Sequence, residues 1–122
     1  MRRKDKTVEC EFHPVLTEFL VEVDELYREW NDELVITSGS EQGTRHKLTS
    51  FHYATPGQAA DSRTWDAVEH NRGTVPPPNI QHAAIEEKAI RFCLRKDIPA
   101  NWIEVILEAF HIHIEYQPKR RN

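Results

Sequence analysis

Between Pro14 and Trp30 the apolar residues fall at Val15, Leu16, Phe19, Leu20, Val23, Leu26, Tyr27 and Trp30. This spacing winds them onto one stripe of an α-helix and leaves Glu18, Glu22, Asp24 and Glu25 mostly on the other face. Pro14 suits a first helical position, where its missing N–H is not needed, and Asn31-Asp32 ends the pattern. Leu34-Val35-Ile36-Thr37 is short, apolar and β-branched, and predicts a buried strand. From Ser38 to Ser50 polar residues with Gly39 and Gly43 predict a loop, and the next stretch, to Trp65, turns at Pro56-Gly57. A further loop runs from Glu69 to Pro78 and closes in the stiff Pro76-Pro77-Pro78. Asn79 then reads as the cap of a second helix through about Lys96, with Ala83, Ala84, Ile85, Ala89, Phe92 and Cys93 facing inward.

Beyond a break at Pro99, residues Trp102 to Leu107 and Phe110 to Tyr116 predict two strands around a tight Glu108-Ala109 turn. Alternation in the second is strict: Phe110, Ile112, Ile114 and Tyr116 point one way, His111, His113 and Glu115 the other. The sum is an α+β fold with a small, mostly antiparallel sheet and two main helices. At 122 residues the chain reads as one domain, large enough to bury a core without disulfide staples.

Composition narrows the function classes. With 39% hydrophobic and 30% charged residues the chain is globular in character rather than disordered. A net charge of −4 lacks the basic field expected of a nucleic-acid binder. Basic residues gather instead in Arg2-Arg3-Lys4 and Lys119-Arg120-Arg121, and the ends, 1–6 and 118–122, read as solvated tails. Cys10 and Cys93 lack CxxC spacing and read as two buried, reduced thiols rather than zinc ligands. No apolar run reaches the ~20 residues of a membrane helix. Thr7-Val8-Glu9-Cys10-Glu11 is no signal-peptide core, so synthesis in the cytoplasm is expected, and the molecule is expected to be a monomer.

Candidate chemistry sits in two distant segments, Ser50-Phe51-His52 running on to Asp61, and Glu108 to His113. Strand alternation puts His111 and His113 on one face, about 7 Å apart. Sharing one ion would require one of them to bend, so a ligand beside a second imidazole near the reacting carbonyl is the more natural use. Between His52 and Asp61 lie the eight residues Tyr53 to Ala60, with Pro56-Gly57 able to turn the chain so that both converge. Ser50 is placed to hydrogen-bond an imidazole. Taken singly, each segment reads as a solvated strand face or an ordinary loop. Together, two imidazoles, a carboxylate and a spare glutamate fit a mononuclear zinc site with an open water position and a base beside it.

In order and placement, Ser50-Phe51-His52, Gly57-Gln58-Ala59-Ala60-Asp61 and His111-Ile112-His113 resemble the zinc D-alanyl-D-alanine peptidases. That superfamily also holds lysostaphin-type endopeptidases and the signalling domain of hedgehog. Val35-Ile36-Thr37-Ser38-Gly39 is similar to the family's strand leading into a Ser-Gly turn, and the likeness spans roughly residues 13 to 117. The resemblance implies one Zn²⁺ held by His52, Asp61 and His113, with Glu108 as catalytic acid or base and His111 steadying the oxyanion. It implies attack of zinc-activated water on an amide bond of a peptidoglycan stem peptide or another D-Ala-containing peptide, by carboxypeptidase or cross-link endopeptidase action. The family's carboxylate-holding arginine has no counterpart at Ser40-Glu41, which leaves the task to Arg45 or Arg63, and Glu115 competes with Glu108 as base. A phage-type enzyme of cell-wall lysis, released by holin or delivered by injection, matches the missing leader. The alternatives are a zinc-binding assembly domain without catalysis and, on weaker grounds, a His-hydrophobic-His DNA nickase using Tyr27, Tyr53 or Tyr116. His13, His46, His70 and His82 read as surface or capping residues, and Trp65 and Trp102 as core.

Overall fold

A computed structural model of the chain describes residues 1–40, 57–64, 75–109 and 111–118. The first apolar stripe forms α1 (Pro14–Glu29), burying Leu16, Phe19, Leu20, Val23, Leu26 and Tyr27. His13 caps it, its Nδ1 accepting from the Val15 N–H at 3.1 Å. The second helix, α2 (Pro78–Lys96), starts before the expected Asn79 cap. Pro77, extended at φ −56 and ψ 157, is the cap residue, and Pro78 supplies a first-turn φ without needing a hydrogen bond, so Asn79 already lies inside the helix.

Five strands make one mixed sheet: β1 (Arg2–Arg3), β2 (Val35–Ser38), β3 (Ala59–Arg63), β4 (Ile103–Leu107) and β5 (His111–Tyr116), in the order β1-β2-β3-β5-β4. The pairing β1–β2 is parallel and the other three are antiparallel. The β4–β5 hairpin has the expected parity, with Ile112, Ile114 and Tyr116 buried and His111, His113 and Glu115 on the opposite face. Trp102 falls outside β4, in a 3-10 turn (Ala100–Trp102) closed by its N–H to the Pro99 carbonyl at 3.0 Å, and packs against the core.

Three further expectations are corrected. The N-terminal basic run is no free tail: the Arg2 and Lys4 N–H groups donate to the Leu34 and Ile36 carbonyls, and Arg2 Nε donates to Glu33 at 2.7 Å. Asp61 lies in a strand rather than an ordinary loop. Ala59-Ala60-Asp61-Ser62-Arg63 has no β-branched or aromatic residue, and its extended form is imposed by β2 and β5 on either side. Cys10 is exposed while Cys93 is buried, and both thiols are free.

Both helices lie over the face carrying Ala60, Ser62, Ile112, Ile114 and Val105, all buried. Phe19 of α1 and Phe92 of α2 meet there with ring centroids 5.4 Å apart. Tyr27 donates its buried hydroxyl to Gln81 Oε1 at 2.7 Å, and Gln81 Nε2 donates to the Pro76 carbonyl at 2.7 Å, so this polar pair is satisfied inside the core. With the helices on one side, the other sheet face presents Asp61, Arg63, His111, His113 and Glu115. Among the described residues no helix is long and apolar enough to cross a membrane.

Candidate metal centre

The β3–β5 ladder builds the site. Asp61 stands opposite His113, and Arg63 opposite His111. Facing residues on one side of an antiparallel pair have Cβ atoms about 5 Å apart, close enough for an aspartate and a histidine to touch. Asp61 Oδ1 and His113 Nδ1 lie 2.6 Å apart. On the other flank of β3 the register slips: Ile36 pairs with Ser62 and Ser38 with Asp61, so three residues of β2 span two of β3. Thr37 is the extra residue of this bulge, and its Oγ1 donates to the Asp61 carbonyl at 3.3 Å. The bulge therefore falls at Asp61 itself, where added twist re-aims a side chain.

His113 is clamped from both sides. Its Nδ1 donates to Asp61, and its Nε2 donates to Glu115 Oε1, also at 2.6 Å. An ionised carboxylate only accepts, so making both bonds requires a proton on each ring nitrogen, the imidazolium form. Burial works against that charge, but hydrogen bonds to Asp61 and Glu115, reinforced by their negative charges, outweigh it and raise the His113 pKa from 6.5 to about 10.

Glu108, in the β4–β5 turn, and His111, the first residue of β5, complete the group. The Glu108 N–H donates to the His111 carbonyl at 2.9 Å, and this tight closure brings Glu108 Oε1 to 3.4 Å from His111 Nε2. The same nitrogen is 3.6 Å from Asp61 Oδ1. Glu108 is 45% exposed at its side chain against 12% for His113 and 15% for Asp61, so Glu108 stands on the open side of the group.

Among the described residues, Asp61, Glu108 and His113 each offer a ligand atom, and these atoms all lie within 4.8 Å of one another. A divalent cation fits this set. Two carboxylates and an imidazole are oxygen and nitrogen donors of the kind such ions take, and the proton held between Nδ1 and Oδ1 occupies the place a cation would claim. Two of the three ligands expected from the sequence, Asp61 and His113, are thus brought together. The third, His52, lies outside the described residues, as do Ser50, Arg45, His46, His70 and Trp65. Arg63 shares the site face next to His111 in register, and Glu115, expected as a rival base, is instead committed to His113 Nε2. The parity of His113 and Glu115 on β5 was the one sequence signal for that contact. His82 is no site residue: its ring bonds the Val105 carbonyl at 2.9 Å and flanks Glu86 at 3.1 Å.

No family model, curated protein or solved structure matches this chain.

Proposed function

We propose that the chain is a zinc-dependent peptidase that hydrolyses an amide bond in peptidoglycan stem peptides or related D-Ala-containing peptides. The observation that carries this reading is the cross-strand pair Asp61–His113, with Glu108 converging on it from the hairpin turn. Asp61 and His113 would hold the ion, with His52 as the third ligand supplied by the preceding segment. When bound, zinc would lower the pKa of a water toward 7 and polarise the scissile carbonyl.

The remaining work falls to the protein's own groups. Glu108, exposed and acceptor-only when ionised, takes a proton from the attacking water and returns it to the departing amine. His111 Nε2 faces the same opening and donates its proton toward the carbonyl oxygen as negative charge develops there. Arg63, on the same face, can grip a substrate carboxylate with its two-pronged guanidinium.

One observation favours a second reading. Glu108 lies within ligand distance of Asp61 and His113, so it can serve as a ligand, leaving a metal-binding assembly domain with no base. The variant Glu108→Gln separates the two when zinc content and digestion of purified muropeptides are measured together. The peptidase reading expects zinc retained and cleavage reduced about 100- to 10,000-fold, the usual worth of a positioned acid–base group. Loss of zinc, or a wild-type protein that holds zinc and cleaves no stem peptide, contradicts it.

A further inference from the structure

The commitment of Glu115 to His113 suggests a role different from catalysis. Resting on the metal-centre reading above, we propose that Glu115 is a positioning residue: it accepts the His113 Nε2–H and turns Nδ1 toward the point shared by Asp61 and Glu108. The ring carries its two nitrogens on separate edges, and the structure assigns each a different partner. Nδ1 meets Asp61 Oδ1 and Nε2 meets Glu115 Oε1, both at 2.6 Å. Only one nitrogen can ligate an ion while the other keeps a proton to donate. Asp61 and Glu108 converge with His113 into a ligand-sized cluster, so an ion held there would take the place of the proton on the Asp61 side, and the Glu115 side would keep its hydrogen bond. A carboxylate behind a ligating imidazole fixes tautomer and ring orientation and raises the basicity of the ligating nitrogen.

The surroundings of Glu115 suit this task and poorly suit that of a base. Its side chain is only 16% exposed. Gln117 Nε2 donates to its second oxygen, so both carboxylate oxygens are engaged on one face of β5. Gln117 is anchored in turn, its N–H donating to the Trp102 carbonyl at 2.7 Å, and the Tyr116 N–H donates to the Gln58 carbonyl at 2.8 Å. Across the β3 ladder Glu115 faces Ala59, a buried residue whose single methyl leaves space for the carboxylate beside the imidazole. The resulting relay, Gln117 to Glu115 to His113, lies on the side of the ring away from Asp61.

The test uses the full chain with zinc, comparing wild type, Glu115→Ala, Glu115→Gln and His113→Ala. Zinc affinity is titrated with a competing chelator, and the imidazole nitrogens of His113 are assigned by 15N NMR in the zinc-loaded protein. The expected result is Nδ1 ligated and Nε2 protonated in wild type. Glu115→Ala should lose about 10- to 100-fold in zinc affinity, and Glu115→Gln, whose amide oxygen still accepts, should recover part of that loss. Zinc on Nε2, or Glu115→Ala binding within twofold of wild type while His113→Ala loses the metal, overturns the role of Glu115 and leaves the metal centre standing. A wild type that takes up no zinc overturns both. Coincident loss of folding in Glu115→Ala is recognised from its spectrum, and the decision then rests on the nitrogen assignment and on Glu115→Gln.

Discussion

At the scale of single residues the site is governed by who holds the proton on His113. Without metal, Asp61 and Glu115 stabilise the imidazolium and raise its pKa from 6.5 to about 10. A folded-state pKa above the unfolded one means that folding takes up a proton, so the contribution is fully present below pH 6.5 and is lost as pH rises through about 10. Urea unfolding of metal-free protein across that window should show wild type losing its advantage over His113→Gln as pH climbs. A constant difference between the two would show that His113 is not held charged. A zinc ion would compete with a proton for His113, so its binding should release a proton at neutral pH and tighten as pH rises, which calorimetry in buffers of different ionisation enthalpy measures directly.

Among the elements, two junctions hold the ends of β2, the strand that flanks β3. One is Asp24, a largely buried carboxylate on α1 that accepts from the Leu34 N–H at 2.9 Å and from Arg28 Nε at 3.0 Å, and pairs with the Met1 amino group at 2.8 Å. Burial alone would raise its pKa, but these donors outweigh it and hold the carboxyl below 3.8, so its stabilisation is present above that pH and lost as pH falls through the lowered value. Asp24→Ala leaves the Leu34 N–H without its acceptor at the entry to β2 and should cost about 1–3 kcal/mol in chemical denaturation. An unchanged midpoint would mean that α1 and β2 are not coupled there. The other junction is Gly39, just after β2, where an added Cβ would sit 2.0 Å from the Glu9 carbonyl oxygen and 3.1 Å from the Phe12 ring. Backbone cannot yield as a side-chain tip can, so Gly39→Ala should destabilise by about 1–3 kcal/mol through forced displacement of residues 9–12. A melting temperature equal to wild type would show that the segment gives way freely.

Over the whole molecule, what the sequence made legible follows from what periodicity reports. Periodicity records burial, so both helices, the β4–β5 hairpin and the shared face of His111, His113 and Glu115 could be read from it. The strand character of Ala59–Arg63, the pairing of Arg2–Arg3 and the bulge at Thr37 could not, because long-range partners impose them on residues with weak local preference. The site shows the same division. Asp61 and His113 were legible as a pair through motif order, whereas the Glu115 clamp depends on side-chain direction within a strand that pattern alone leaves open. What joins fold and chemistry is the β3–β5 register, which sets Asp61 across from His113 on the sheet face opposite the helices. The most direct measurement is zinc content by elemental analysis on purified wild type, Asp61→Asn and His113→Ala after incubation with zinc and gel filtration. About one zinc is expected per wild-type chain and none in either variant, because each substitution removes one of three protein ligands. A wild-type chain that emerges free of zinc, or variants that keep it, would contradict a zinc site built on the Asp61–His113 pair.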